Sequence, residues 1–254
     1  MKTAVIISGH VRSFQWVLGN QLEKLFSRVP EPHFFISVID DSFAKSIELL
    51  KQRFSHVTIE YIPGQPDCVG PVGKSLLGEN ARHEDIDAAL KQAALRGTYR
   101  LAPHANPQTV FGSLWHQQRA FRMAREKFDV YIRHRPDLYF VHLDVPAPKS
   151  NECFVPWWSS WGGINDRFAI MGQEAATAYF SQFDHLADLL RSGVPLHPES
   201  LSGAAMKAGR VSIRPLNVDF SAVRTPDAAG RIEQVPSNYS VTDIYNLVRS
   251  LKLP

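Results

Sequence analysis

Asp129–Phe140 reads DVYIRHRPDLYF, and the rest of the chain can be read outward from it. Val130, Tyr131 and Ile132 are a β-branched and aromatic run, the composition of a strand buried in a sheet. Arg133, His134, Arg135 and Asp137 then put four polar or charged groups into five positions. Pro136 disfavours the α region at Arg135, so the chain is expected to leave the sheet extended rather than turn into a helix. A period of two from there would aim Arg133, Arg135 and Asp137 roughly the same way. Two guanidinium forks beside a carboxylate at a strand's carboxyl end suit a phosphate-bearing ligand or a metal–phosphate unit. The same residues also suit an Arg–Asp ion pair closing a sheet edge.

Upstream, Thr3–Ser8 (TAVIIS) is a continuous apolar strand of the kind covered on both faces. Gly9-His10-Val11-Arg12-Ser13 leads into a helix, with Ser13 as N-cap and Phe14, Val17, Leu18, Leu22, Leu25 and Phe26 as its apolar stripe. His33–Ile39 (HFFISVI) reads as a second buried strand ending in Asp40-Asp41. Ser42–Phe54 reads as a second helix and His56–Ile62 as a third strand. The order β-α-β-α-β predicts a parallel α/β sheet, in which ligands sit beyond the carboxyl ends of the strands. Gly9–Arg12 and Asp40-Asp41 fall on that edge.

The whole chain has 254 residues, with 44% hydrophobic and 21% charged side chains and a net charge of +3. That is an ordinary globular balance, long enough for a sizeable core. The weak positive charge is compatible with anionic small ligands or peripheral contact with an acidic membrane, and argues against nucleic acid as a partner. Cys68 and Cys153 are the only cysteines. Their spacing implies neither a disulfide framework nor a zinc site, and free thiols suggest a reducing, cytoplasmic location. Met1-Lys2-Thr3 followed by Ala4–Ile7 is too short for a signal peptide and reads as the first strand. No apolar run approaches the length of a membrane span.

Further along, Pro63–Arg82 is Pro/Gly-rich without periodicity and reads as a loop or lid. Glu84–Arg96 is a helix stopped by Gly97. Asn106-Pro107 opens a long helix running to about Lys127. After the central strand come a short strand at Glu152–Val155, an aromatic loop at Pro156–Gly163, a strand at Arg167–Met171 and a helix at Gln173–Arg191. A helix from Pro198-Glu199 to Ala208 is stopped by Gly209, and Val211–Val218 is a last strand. Thr225–Asn238 reads as a surface tail and Val241–Leu251 as a short amphipathic helix. There are no repeats or low-complexity tracts, and a division, if present, falls near residue 142.

Each candidate site residue has a structural alternative. Gly9 can let a ligand approach the backbone at a helix start, or simply form a βα turn. Asp40 can bind a ribose hydroxyl, or cap the next helix with Asp41. Trp157, Trp158 and Trp161 can stack on sugar rings, or plug the edge of the core. Asn165 and Asp166 can bind sugar hydroxyls, or form a turn. Glu199, after His197-Pro198, is favoured in a first helical turn by the dipole alone, and is also where a general base can stand.

Four segments together resemble a GT-A-type glycosyltransferase of the small bacterial kind that builds surface polysaccharide. They are VIISGHVRSF (5–14), FDVYIRHRPDLYF (128–140), WGGINDRFAIM (161–171) and HPESL (197–201). The resemblance implies a single GT-A-like domain over 1–254, a mostly parallel sheet flanked by helices with a mixed C-terminal half. It places a nucleotide-binding half at 1–142 and an acceptor- and sugar-binding half at 143–254. It puts Gly9 and Arg12 at the nucleotide, Asp137 at the metal–diphosphate, Gly163, Asn165 and Asp166 at the donor sugar, and Glu199 as the acceptor-activating base. Together with the readings above, catalysis falls to Asp137, Asp166 and Glu199. Donor binding adds Asp40, Arg133 and Arg135, and acceptor binding falls to Trp158 and Trp161. The implied partners are a nucleotide-sugar donor and a saccharide or lipid-linked saccharide acceptor. The usual Asp-x-Asp of the family is here Asp137-Leu138-Tyr139, with one carboxylate. Either Mg²⁺ or Mn²⁺ is held by Asp137 and phosphate oxygens, or Arg133 and Arg135 neutralise the leaving diphosphate without a metal; the two fixed charges favour the second. A catalytically inactive nucleotide-sugar-binding or assembly protein on the same fold is the alternative function. A phosphate-transferring enzyme is a weaker third, since no P-loop is present.

Overall fold

The computed structural model describes residues 1–9, 13–39, 44–64, 66–96, 106–158, 160 and 162–223. Thr3–Ser8 (β1) is buried along its whole length. Ala4 and Ile6 point to one face of the sheet and Val5 and Ile7 to the other, as strand alternation requires. Phe14–Gln21 (α1) continues as a single π-helical turn, Leu22–Phe26, and delivers the chain to Pro32–Val38 (β2). Ala44–Arg53 (α2) and Val57–Tyr61 (β3) follow. β1, β2 and β3 pair in parallel, as the β-α-β-α-β order predicts. The chain then crosses to the other side of β1 through Val69–Leu77 (α3), His83–Leu95 (α4) and Pro107–Met123 (α5). Val130–His134 (β4) pairs parallel to β1, with Ile6 beside Arg133 and Ile7 beside His134.

Beyond β4 the architecture becomes mixed. Glu152–Pro156 (β6) and Phe168–Met171 (β7) extend the sheet, which closes with Ser212–Leu216 (β8). The order is β3-β2-β1-β4-β7-β6-β8, with only β7 running against its neighbours. Leu138–Leu143 (β5) and Val218–Ala222 (β9) form a separate antiparallel pair. That pair packs with α1 and α2 on one face, where Phe26, Phe34, Phe140, Phe168 and Phe220 meet. α5, Gln173–Phe180 (α6) and Pro198–Ala208 (α8) cover the other face. A third apolar cluster joins α3, α4, α5, α8 and Leu186–Arg191 (α7). The fold is therefore α/β, with a mostly parallel seven-stranded sheet between helices. Among the described residues no helix is long and apolar enough to cross a membrane.

Several expectations need correcting. The Pro63–Arg82 stretch is not a structureless loop, because it holds α3. That helix is short and Gly-bearing, so tertiary packing rather than propensity sustains it. Gly73 lies so close to α4 that an added Cβ would come within 2.3 Å of the Ile86 side chain. α5 begins at the Asn106 cap, whose Oδ1 accepts from the Gln108 N–H at 2.9 Å. It stops at Met123 rather than Lys127, which frees Phe128 to reach the core. Ser13 precedes α1 but its side chain makes no cap bond. The helix expected over Gln173–Arg191 is two, α6 and α7. The strand expected over Val211–Val218 is β8, and a further strand the sequence reading did not foresee, β9, follows it in the other sheet. Gly97 and the tail and helix expected beyond residue 224 lie outside the described residues.

The chain does not run straight past Pro136 either. It turns at Pro136-Asp137 and enters β5. The last turn of α1 specifies that path. Gln21 Nε2 donates to Pro136 O at 3.0 Å and Leu138 O at 2.7 Å, and Asn20 bonds both backbone groups of Phe140. With its amide nitrogen so used, Gln21 turns Oε1 to His134 Nε2 at 2.9 Å. An amide oxygen can only accept, so Nε2 carries the imidazole proton. Burial, with Arg133 adjacent, lowers the His134 pKa to about 3.

This makes a stability prediction. An unfolded chain protonates His134 below about pH 6.5 while the folded chain does not, so acid favours unfolding from that pH down to about 3. The expected contribution is at most about 1.4 kcal/mol per pH unit. Urea unfolding across pH 4–7 should show a shallower pH slope in His134→Gln than in the wild type. Equal slopes would mean that His134 is protonated in the folded protein.

Candidate active site at the switch point of the sheet

Parallel sheets offer a crevice where successive connections leave in opposite directions. Here that point lies between β1 and β4, because the crossovers through α1 and α2 cover one face and the one through α5 covers the other. Gly9 stands at the end of β1 with φ +107°, a backbone conformation that favours glycine. Among the described residues no atom beyond its chain neighbours lies within 4 Å of the position its Cβ would take. Ser8, just before it, buries an Oγ that has no hydrogen-bond partner among the described residues.

Arg135 and Asp137 flank the turn after β4. Arg135 Nε donates to Asp137 Oδ1 at 3.0 Å, and its NH2 group bonds Oδ2, a bidentate pair half-buried at the rim. Arg133 is in a different environment. It is among the largest fully buried side chains, and its NH1 group donates to His134 O at 2.9 Å. Nε has no partner. Burial lowers its pKa, while the Tyr179 hydroxyl and the Asp166 carboxylate oppose that shift. The three residues therefore do not present one shared face: Arg135 and Asp137 hold each other, and Arg133 faces inward towards α6 and the loop before β7.

β7 runs opposite to β4, with His134 beside Phe168, so the residues before β7 lie at the end of β4. Arg135 N–H donates to Arg167 O at 3.1 Å and fixes that junction. Asn165 is fully buried. Its Nδ2 donates to Trp158 O at 3.0 Å and its Oδ1 accepts from the Arg167 N–H at 3.0 Å. Both ends of its amide thus staple the loop, and the turn explanation describes it. Gly163 is also structural, because an added Cβ would fall 1.8 Å from Glu199 O. The Ile164 N–H donates to that same oxygen at 3.1 Å. Trp158 leans on Phe220 at 4.7 Å between ring centroids, and its Nε1 lies 3.4 Å from Val218 O, so it closes the edge of the core. Arg12, Asp40 and Trp161 lie outside the described residues.

The loop and α8 bring two carboxylates to this edge. Asp166 is half-buried, and its backbone oxygen accepts from the Tyr179 hydroxyl at 3.4 Å. Glu199 is buried in the first turn of α8. Burial raises its pKa, the nearby Asp166 charge adds to the rise, and His197 opposes it. Arg135, Arg133, Asp166 and Glu199 thus form a series in which each acts electrostatically on the next. Tyr179 and His197 are the members that sequence reading missed. The HPE spacing could have exposed His197, whereas Tyr179 carries no local signal because only the packing of α6 brings it to Arg133.

The donor chemistry fits a protein-held Mg²⁺ or Mn²⁺ poorly. Both Asp137 oxygens already face Arg135. The described residues contain no group of three His, Cys, Asp or Glu side chains placed to hold an ion.

No protein-family model matches the chain, and no curated protein matches it. Among solved structures, the crystal structure of mouse xyloside xylosyltransferase 1 in its apo form is similar to it. That similarity covers 85% of this chain and 84% of the other, at 8% identity and a TM-score of 0.43.

The close approach at Gly163 makes a steric prediction. Gly163→Ala should destabilise the protein by about 2–3 kcal/mol, since both neighbours are backbone and cannot swing aside. In a thermal melt this is a fall of about 5–10 °C. An unchanged melting temperature would show that α8 does not press on this loop.

Proposed function

We propose that the protein is a glycosyltransferase that moves a sugar from a nucleotide-sugar donor to a hydroxyl acceptor. The observation that carries this reading is the meeting of Gly9, the Arg135–Asp137 pair, Asp166 and Glu199 at the switch-point edge. The motif resemblance adds support. Gly9 leaves room for a donor diphosphate to approach the backbone, and Arg12 and Asp40 are assigned to the nucleotide from the sequence alone. The Arg135 guanidinium, oriented by Asp137, would take up charge on the diphosphate as it leaves. Asp166 faces the donor sugar. Glu199 accepts the acceptor proton as the hydroxyl oxygen bonds to the anomeric carbon. The sugar–phosphate bond breaks in that step and its electron pair leaves with the diphosphate.

Trp161 and the exposed Trp157 remain the aromatic candidates for an acceptor, with Trp158 supporting them from the core. The acceptor class is a saccharide or lipid-linked saccharide of bacterial surface polysaccharide, with transfer on the cytoplasmic side of a membrane. A non-catalytic nucleotide-sugar-binding protein is the second reading, favoured by the mutual pairing of Arg135 with Asp137.

Calorimetric titration with UDP, GDP and CMP, with and without Mn²⁺, should show one nucleotide binding. The matching nucleotide sugars should then be hydrolysed or transferred. Arg135→Ala and Asp137→Ala should each lower turnover at least about 100-fold with unchanged circular dichroism. Binding without hydrolysis of any donor would favour the second reading. Wild-type turnover in both variants would remove the pair from the mechanism.

A further inference from the structure

His197 occupies the N-cap position of α8, yet its side chain makes no capping bond to the helix backbone. Its Nδ1 instead lies 2.9 Å from Glu199 Oε2, with both side chains almost wholly shielded from solvent. The two atoms are at hydrogen-bonding distance but imperfectly aligned, since Nδ1 has no partner of good geometry. Glu199 has no other side-chain partner among the described residues. The backbone around the pair is tightly held. Pro198 fixes the first helical position, the Leu201 N–H donates to His197 O at 2.9 Å, and the Glu199 carbonyl is pressed against Gly163. An imidazole that does not cap its helix, and whose buried Nδ1 faces a buried carboxyl, has one evident use.

We propose that His197 is the positioning residue of Glu199. It faces Oε2 with Nδ1–H and favours the ionised carboxyl, leaving Oε1 to receive the proton of the acceptor hydroxyl. The base role rests on the glycosyltransferase reading; the control of Glu199 by His197 does not. Among the described residues two charged or titratable side chains act on Glu199. Asp166, ahead of β7, opposes ionisation, and His197, ahead of α8, favours it. Removing His197 therefore raises the Glu199 titration midpoint, and neutralising Asp166 lowers it. Packing alone would not produce opposite shifts from the two sides.

The test is a carbon-13 NMR titration of glutamate side chains in the full chain, with the Glu199 signal assigned by its loss in Glu199→Gln. His197→Ala should weaken Glu199 as an acid about tenfold, a midpoint about one pH unit higher. His197→Asn keeps an N–H donor near the Nδ1 position and should return most of that shift. Asp166→Asn should move the midpoint the other way. With an accepted donor in hand, the acidic limb of kcat/KM should follow the midpoint in His197→Ala and recover in His197→Asn. A Glu199 midpoint indifferent to His197→Ala, or shifted equally by the alanine and asparagine variants, overturns the proposal. If the midpoints shift as expected while the wild type turns over no nucleotide sugar, the pairing stands and the glycosyltransferase reading falls with the base role.

Discussion

The near side of the candidate site depends on one buried amide. Gln21, in the last turn of α1, donates to two backbone carbonyls of the Pro136–Leu138 turn and accepts from His134. In a low-dielectric interior such bonds are strong and costly to break, because each leaves a buried polar group unsatisfied. The turn they define carries Asp137, and through it Arg135. It also diverts the chain from the main sheet into the small β5–β9 pair. Asn20, one residue earlier, repeats the device at Phe140. The first crossover helix is thus both a cover for the sheet and the clamp on the segment that gives the site its charge.

The far side is built on different physics. β7 runs against β4, so the residues that open β7 arrive where β4 ends, and α8 is packed onto them by backbone contact at Gly163. Arg133 sits between the halves as an internal counter-charge. A buried guanidinium without a direct ion pair is expensive, and the Asp166 carboxylate and Tyr179 hydroxyl offset part of that cost. Asp166 is therefore tied electrostatically to the sheet as well as to its own loop.

The parallel half was legible in the sequence because β1 and β2 are short apolar runs covered on both faces and separated by amphipathic helices. Thr3–Ser8 has the expected bounds and Pro32–Val38 is displaced by one residue at each end. The mixed half was harder to read. Nothing local says that a second strand follows Val211–Val218 into another sheet, or that Ser181–His185 interrupts a helix. α3 was hidden by its glycines, one of which, Gly73, is small because α4 packs against it. The candidate site shows the same ambiguity. A glycine before Asn-Asp can mark a ligand's approach or another backbone's, and Gly163 is the second kind. Asn165 is buried and fully engaged by the loop it closes. Arg133 and Arg135 look equivalent in RHR, yet strand pairing buries the first and the turn leaves the second at the rim. Residue type and spacing brought attention to the right edge of the sheet; only packing divides those residues into scaffold and chemistry.

The connection between β6 and β7 is anchored at both ends, at Trp158 by the Asn165 amide and at Arg167 by the Arg135 N–H. Between those anchors Gly163 lies against the backbone of α8 and the Ile164 N–H bonds Glu199 O, so the connection is held at a third point as well. A change of length within this connection would therefore displace Asp166 and the start of α8 together, which makes the segment a shared lever on both carboxylates rather than an independent surface loop.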